Sequence, residues 1–318
     1  MKISIIIPTY NVLKYISRCI DSCISQSYKD VEIVIVDDCS TDGTFEIIEN
    51  YAEKYRNIKI FRNTENNGVH FTRTYGVQHA IGDYVFLLDG DDFIPVDALE
   101  SLSKKWDETN ADIIDGDFVF VNENGNQQEN NNSYSFDNLL DSENYLLLLL
   151  RNKALYQTFK LIRRSLFDFV KIKQKLTIGE DAVSVVQMIK SATMIAKVNK
   201  IVYFYYRRTD SVTVLPRKQN LIDVFFASEL VVKEIQSMDK RFSEEIKKIR
   251  IMNVVNYINN YHITNSYRNN IRMVLMRNFS FDRLIVLKFS SRTKFASMVC
   301  FISPALANRV LHNKFILF

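Results

Sequence analysis

Residues 84–92 read YVFLLDGDD, a run of apolar residues typical of a buried strand followed at once by Asp89, Gly90, Asp91 and Asp92. Like charges this close repel one another, and burial adds to the cost. Because packing alone would not select three carboxylates directly after a strand, we expect them to serve a cation or a ligand. The stretch therefore predicts both a strand and a functional site where that strand ends.

Outward from this stretch, strand and helix patterns alternate over roughly the first 120 residues. Short apolar runs predict strands, and apolar residues that recur every three or four positions predict helices. This rhythm predicts an α/β fold with a mostly parallel sheet flanked by helices on both faces. The predicted strands are 2–8, 31–36, 58–61, 83–88 and 112–121, and the predicted helices are 12–27, 40–51, 68–80 and 95–109.

The rest of the chain is less regular. Residues 122–135 are polar and rich in Asn, which predicts a surface loop. The pattern over 139–168 is helical, another helix is predicted over 179–188, and 200–208 is an aromatic-rich strand. From about residue 215 the sequence is helical and basic. We therefore expect two domains, 1–215 and 216–318, the second a helical C-terminal extension.

Three predicted strand ends carry polar groups that would meet on one rim. Ligands of such sheets bind outside the carboxyl ends of the strands. These ends carry the segments 8–10, 37–38 and 89–92. The carboxylates of 89–92 could converge on Mg²⁺ or Mn²⁺ that bridges to phosphate, with Gly90 allowing a tight turn. The alternative is an ordinary acidic turn, because Asp and Gly are common turn residues.

Four other segments of the sequence also have both a functional and a structural interpretation. Tyr10 could stack on a base or be a core or rim aromatic. Asp38 could accept hydrogen bonds from a base or a ribose, or its segment could simply cap a helix. Arg73 could be a cation near the rim or an exposed arginine. Glu180 and Asp181 place carboxylates at a helix start, where a capping acid is the alternative.

In combination these segments resemble an inverting glycosyltransferase of family 2 with the GT-A fold. The resemblance covers about residues 1–215 and rests on IIIPTYN, IVIVDDCSTDGT, NNGVHFTRTYG, YVFLLDGDD and GED, in that order. FKLIRRSLF at 159–167 and YYRRTDSVT at 205–213 also look like segments of bacterial capsule and exopolysaccharide members. At 72–74 the chain has Thr-Arg-Thr where the family often has Ala-Arg-Asn.

The resemblance implies roles for individual residues. Thr9 and Tyr10 would hold the nucleobase, Asp38 would contact uracil, and Asp181 would be the catalytic base. Asp91 would bind the implied metal, Mn²⁺ or Mg²⁺, through the D-x-D pattern, with Asp92 as a further ligand, and Asp89 would contact the ribose or the metal. The full nucleotide-binding set is Pro8, Thr9, Tyr10, Asp37, Asp38, Arg73, Asp89 and Gly90. Candidate accessory residues are Glu180, Lys160 and Arg207.

The chemistry of sugar transfer is consistent with this set. A divalent ion can act as a Lewis acid on a diphosphate leaving group, and a separate carboxylate can deprotonate the acceptor. The expected reaction moves one sugar from a nucleoside-diphosphate donor, expected to be UDP-linked, to a glycan or lipid-linked acceptor in cell-surface polysaccharide synthesis. The alternative is a non-catalytic partner that binds nucleotide sugar or scaffolds a synthesis complex. The glycine-rich loop of nucleotidylyltransferases and dehydrogenases is absent after the first strand.

Charge is distributed unevenly along the chain. The formal net charge is +4, but residues 246–318 carry twelve Lys and Arg against a single acid, Asp282. Mixed with aromatic and aliphatic residues, these charges could lie along an anionic membrane surface; a solvated helical subdomain is the alternative. Nucleic-acid binding is not expected. With no secretory signal or spanning segment predicted, we expect a cytoplasmic protein, which the tail would bring to the inner face of the cell membrane.

Overall fold

The computed structural model describes residues 1–129, 134–172, 176–208 and 218–259. The chain divides into two compact units, Met1–Val214 and Leu215–Phe318. Each unit is described by itself. Most of the predicted basic extension falls on residues 260–318, which lie outside the described residues.

The first unit begins with the predicted alternation of strands and helices. Its first four strands are parallel and lie in the order β3-β2-β1-β4. Every residue of β1, β2 and β4 is buried, as expected for a parallel sheet covered on both faces. The elements are β1 (Ile3–Thr9), α1 (Leu13–Ile24), β2 (Val31–Asp37), α2 (Thr44–Lys54), β3 (Ile58–Arg62), α3 (Val69–Gln78), β4 (Tyr84–Leu87) and α4 (Ala98–Thr109).

The second half of this unit extends the same sheet with a mixture of strand directions. Strand β7 is antiparallel to both β4 and β5, whereas β8 runs parallel to β5. The predicted α/β fold with helices on both faces of the sheet is confirmed. The further elements are β5 (Ile113–Val121), β6 (Gln127–Glu129), α5 (Ser142–Asn152), β7 (Lys160–Arg163), a 3-10 helix (Arg164–Phe169), α6 (Glu180–Ser191) and β8 (Ile195–Tyr206).

The structure corrects the helical prediction over 139–168. The only α-helix there is α5; β7 follows it as a central strand, and a short 3-10 helix comes after β7. In β7, Ile162 pairs with Val85 on one side and with Ile113 on the other. A strand of four residues between two neighbours is too short to show the alternation of apolar and polar residues that marks a strand. In addition, the five leucines at 146–150 extend the helical pattern toward it. The predicted loop 122–135 likewise contains β6, which forms a hairpin with β5.

Two apolar layers hold the sheet. One face packs on α1, α2 and α4, with Ile5 and Ile7 at its centre, and the other packs on α3. Gly76 lets α3 approach the sheet, because a Cβ at this position would lie 2.6 Å from Cγ2 of Ile6. This close packing fixes α3 against the ends of β1 and β2, and so places Arg73 near the rim.

The described part of the second unit contains two helices, α7 (Lys218–Gln236) and α8 (Ser243–Asn259). They are joined by side-chain hydrogen bonds: the Ser228 hydroxyl donates to Oδ1 of Asn253 over 2.8 Å, and Nδ2 of Asn253 donates to Glu229 over 3.0 Å.

Within the described ranges, no helix has both the length and the apolar character required to cross a bilayer.

Candidate active site

The ends of β1, β2 and β4 lie side by side, as the parallel register requires. Thr9 pairs with Asp37, and Ile6 pairs with Leu87. Tyr10 follows β1 directly and is 48% exposed, so its ring has a free face at the rim. Pro8 and Thr9 are buried, and the Thr9 hydroxyl lies 3.3 Å from the backbone oxygen of Val36. Their side chains therefore support the rim, whereas the ring of Tyr10 has the exposed surface on which a nucleobase could stack.

Asp37 and Asp38 are buried and already hydrogen-bonded. Oδ2 of Asp37 accepts from the Ser40 N–H over 2.9 Å, and Asp37 is fully buried. Oδ1 of Asp38 accepts from the Asn67 N–H over 2.9 Å, and its Oδ2 accepts from the Gly68 N–H over 2.8 Å. These bonds shape the loop that leads into α3. The predicted contact of Asp38 with uracil stays a prediction, and it would require Asp38 to exchange some of these bonds. Asp37 has no exposed surface for a ligand.

The loop after β4 packs tightly on the end of β1. A Cβ at Gly90 would lie 3.0 Å from Cγ2 of Thr9 and 3.2 Å from the backbone oxygen of Pro8. A side chain at this position would require Thr9 or the loop to shift by a few tenths of an ångström. Gly90 therefore holds its neighbours Asp89 and Asp91 at the rim by its small size.

Asp91 lies between two arginines that the sequence did not single out. Its Oδ2 is 3.0 Å from Nε of Arg208, which follows β8, and Nη2 of Arg18 on α1 donates to its backbone oxygen over 2.9 Å. Burial, and then the charge of Asp89, raises the pKa of Asp91. A cation at this place would relieve the repulsion between the two carboxylates.

Asp92 is turned toward the sheet instead. Its Oδ2 accepts from the hydroxyl of Tyr203 over 2.6 Å, and its Oδ1 accepts from the N–H of Tyr206 over 2.7 Å. Only 2% of the residue is exposed. Burial, and then the charges of Asp91 and Asp89, raises its pKa well above the ordinary value. Asp92 therefore anchors the loop to β8, and Asp89 and Asp91 are the carboxylates that remain for a metal.

Arg73 joins the two halves of the candidate site. Its Nη2 lies 2.6 Å from Oδ1 of Asp89, and its Nη1 contacts Asp181 and lies 3.4 Å from Oε1 of Glu180. Burial opposes the charge of Arg73, but the carboxylates of Asp181, Asp89 and Glu180 raise its pKa well above the ordinary value. One guanidinium thus brings the acidic loop after β4 within reach of the start of α6.

Glu180 and Asp181 differ in their surroundings although they are neighbours. The side chain of Glu180 is 7% exposed, whereas that of Asp181 is 29% exposed. Burial, and then the charge of Asp181, raises the pKa of Glu180 to about 8. Glu180 is therefore protonated at neutral pH, and Asp181 is the one of the two that a second substrate can reach.

We expect Glu180→Gln to flatten the dependence of stability on pH. The folded pKa of Glu180 lies above the unfolded value, so its protonated form stabilises the fold fully below about pH 4.5. That contribution, on the order of a few kcal/mol, is lost as the pH rises toward the folded pKa. Urea unfolding across this range, followed by the fluorescence of Trp106, measures the slope. Parallel curves for the variant and the parent would contradict the assignment.

Two candidate accessory residues lie elsewhere. Lys160 is buried, with Nζ 3.0 Å from Oδ1 of the fully buried Asp115, so it forms a core ion pair beneath α5. The guanidinium of Arg207 lies 3.7 Å above the ring of Phe120, and its Nη1 donates to Gln128 over 3.2 Å. Lys160 and Arg207 are therefore structural contacts. The cation that reaches the rim is the next residue, Arg208.

The functional contacts that the sequence missed involve Arg208, Arg18 and Tyr203. Arg207 and Arg208 both follow β8, and no local signal separates their roles. No local signal marks Arg18 on α1 or Tyr203 within β8. Their role depends on the packing of these elements against the loop after β4.

The donor set fits a divalent ion only in part. In the described part of the chain, no group of three or more His, Cys, Asp or Glu side chains could hold a metal ion. Asp89 and Asp91 supply two hard oxygen ligands at the rim, and burial, followed by the charge of Asp89, raises the pKa of Asp91. This set suits Mg²⁺ or Mn²⁺ with coordination completed by phosphate oxygens and water, as these ions commonly bind in nucleotide sites.

Comparison with known proteins shows the family of the chain. Residues 4–170 match the sequence model of the Glycosyl transferase family 2. The cholesterol galactosyltransferase of Borreliella burgdorferi is 32% identical over 264 residues, which are 76% of this chain and 72% of that protein. The poly(ribitol-phosphate) beta-glucosyltransferase of Bacillus spizizenii is 30% identical over 262 residues, which are 80% of this chain but 39% of that protein.

Solved structures show the same fold. The crystal structure of residues 1–349 of Staphylococcus aureus TarS in complex with UDP-GlcNAc superposes with a TM-score of 0.75 at 21% identity. The match covers 98% of this chain and 90% of that one.

Proposed function

This chain belongs to glycosyl transferase family 2, and on that premise we propose that it moves one sugar, with inversion, from a UDP-linked donor to a glycan or lipid-linked acceptor of the cell surface. In this proposal Asp89 and Asp91 bind the diphosphate of the donor through Mn²⁺ or Mg²⁺. Asp181 is the general base, and Tyr10 stacks on the nucleobase.

One observation carries the proposal: Arg73 contacts both Asp89 and Asp181. These carboxylates come from segments about 90 residues apart in the sequence. A transferase needs a leaving-group side and a base side separated by roughly the width of a sugar. Arg73 contacts one carboxylate with each of its two terminal nitrogens, so a leaving-group side and a base side can face one bound donor.

The reaction proceeds in a single displacement. The acceptor hydroxyl attacks the anomeric carbon as the bond to the diphosphate breaks, and the hydroxyl proton passes to a carboxylate oxygen of Asp181. A bound divalent ion would supply Lewis-acid stabilisation of the diphosphate leaving group. Arg73 keeps Asp181 oriented, and the protonated Glu180 beside it adds no further negative charge. Because attack and departure occur on opposite faces of the sugar, the configuration inverts.

The names of similar proteins and the ligand of a similar structure support the proposed classes of donor and acceptor. TarS has been solved with UDP-GlcNAc, which favours a UDP-sugar here because this chain shares its fold. The relatives are named for cholesterol and for poly(ribitol-phosphate) acceptors, so both lipid and glycan acceptors occur among similar proteins. The proposed cytoplasmic location and membrane contact rest on the composition of the chain and the charge of residues 246–318 alone.

A thermal-shift titration with UDP, GDP, CDP and TDP, each with and without Mn²⁺, tests the proposal. A ligand that binds only the folded state raises the melting temperature. We expect UDP to stabilise the protein when Mn²⁺ is present, and we expect Asp91→Ala to remove that shift. Asp97→Ala is the matched control, because Asp97 pairs with Lys200 on the surface rather than at the rim.

Release of UDP from a panel of UDP-sugars completes the test. Binding together with slow release of UDP to water supports a transferase. Binding without any turnover, with acceptor glycans and lipids present, would instead indicate a non-catalytic partner. No shift with any nucleotide would contradict the proposed donor class.

A further inference from the structure

The end of β8 contacts the loop after β4 at several successive positions. The N–H of Phe204 donates to the backbone oxygen of Phe93 over 2.9 Å, and the N–H of Tyr206 donates to Oδ1 of Asp92 over 2.7 Å. Just beyond the strand, Nε of Arg208 lies 3.0 Å from Oδ2 of Asp91. Segment 203–208 therefore contacts the loop after β4 along its length.

Within segment 203–208, Tyr203 makes the innermost contact with the loop after β4. Its hydroxyl donates to Oδ2 of Asp92 over 2.6 Å and accepts from the backbone N–H of Asp89 over 3.2 Å. One fully buried oxygen thus joins the first and last carboxylate residues of the loop. Asp91 lies between these two fixed points.

The two hydrogen bonds of the Tyr203 hydroxyl restrain the loop after β4. Asp89, Asp91 and Asp92 carry like charges and would separate if the loop were free to move. A hydrogen bond to a carboxylate is stronger than a neutral one, and a buried one is not replaced by water. The Tyr203 hydroxyl therefore opposes the separation of the loop at both of its ends.

We propose that Tyr203 is a positioning residue that sets the carboxylates of Asp89 and Asp91 at the spacing needed to bind a divalent cation and the diphosphate of the donor. The inference rests on the proposed function, since it concerns the same rim. Tyr203 touches neither substrate nor cation and acts through Asp92 and the backbone of Asp89.

The contribution of the Tyr203 hydroxyl can be measured separately from that of its ring. The ring of Tyr203 packs near Phe86 and Phe159, with ring centroids 6.3 and 6.4 Å away, so Tyr203→Phe keeps this packing and removes only the oxygen. Tyr145→Phe is a matched control. Its hydroxyl is equally buried and donates over 2.7 Å to a buried carboxylate, Asp115, in the core beneath α5.

The experiment measures UDP binding to the full chain by calorimetry, with MnCl₂ and with EDTA. We expect Tyr203→Phe to raise the Kd for UDP in the presence of Mn²⁺ about tenfold, and to leave binding in EDTA nearly unchanged. Tyr145→Phe should stay within about twofold of the parent chain in both conditions. Equal Kd values for Tyr203→Phe and the parent chain, or equal losses in both variants, would overturn the inference.

Amide hydrogen exchange without any ligand gives a second reading. Faster exchange at 89–93 in Tyr203→Phe than in Tyr145→Phe supports the positioning role, and unchanged protection overturns it. Should Tyr203→Phe not fold, Asp92→Asn removes an acceptor from the other end of the same contact and should weaken binding in the same direction. If the parent chain itself does not bind UDP with Mn²⁺, the proposed function is wrong, a result distinct from a parent that binds and a variant that binds equally.

Discussion

Asp181→Asn is expected to lower the rate of sugar transfer by about a thousandfold while leaving the Kd for UDP within about twofold. Asn has the same shape as Asp but cannot take the proton of the acceptor hydroxyl. Its amide oxygen can still accept a hydrogen bond from Nη1 of Arg73, so the start of α6 should keep its place. The measurement is UDP release from a UDP-sugar at saturating donor, paired with UDP binding by calorimetry.

The control for this variant is Asp107→Asn, which removes the same charge from an exposed position on α4. We expect it to transfer at the parent rate. If Asp181→Asn also transferred at that rate, Asp181 would not be the base. A loss of UDP binding in Asp181→Asn would instead show that the residue supports the donor site, and the large rate effect would need another explanation.

Arg73→Met is expected to impair stability and activity together. Arg73 is 5% exposed and contacts the carboxylates of Asp89 and Asp181 as well as Glu180, so the substitution would leave Asp89 and Asp181 without their common cation. Removing one partner of a buried ion pair typically costs about 3–5 kcal/mol, which corresponds to a fall in Tm of roughly 6–20 °C for a domain of this size. Transfer should fall more than a hundredfold, because both the donor side and the base lose their common support.

Arg73→Lys separates charge from geometry. An ammonium restores the positive charge but has no planar fork, so it cannot hold Asp89 and Asp181 on separate nitrogens. We expect it to recover most of the stability and little of the transfer rate. Urea unfolding gives the free energies, and an Arg73→Met variant as stable as the parent would contradict the role of Arg73 as a bridge.

Much of the first half of the fold could be predicted because its signals are local. In β1, β2 and β4 the apolar runs are bounded by turn residues, and α1 to α4 show helical spacing, so each element can be recognised without knowing its neighbours. Parallel β-α-β order then requires the strand ends to lie on one rim. This order alone predicts that Tyr10, Asp38 and Asp89 lie close together.

Strand β7 and the contacts of individual charged groups could not be predicted in this way. β7 is a strand because β4 and β5 lie on either side of it, and its four residues carry no period of their own. Lys160 and Asp92 looked like site residues because they belong to motifs. Their partners, Asp115 for one and Tyr203 for the other, lie 45 to 111 residues away in the sequence.

By itself the sequence determined the α/β class, the family and the place of the site at the carboxyl ends of the strands, because periodicity, strand-end chemistry and motif order are properties of neighbouring residues. Only the tertiary structure decided which carboxylate does what. Asp92 is anchored to Tyr203, Asp91 contacts Arg208, and Arg73 joins Asp89 to Asp181, which lie 92 residues apart in the sequence. The physical reason is that the properties of an ionisable group depend on its burial and on the charges that face it, and both are set by contacts between distant segments.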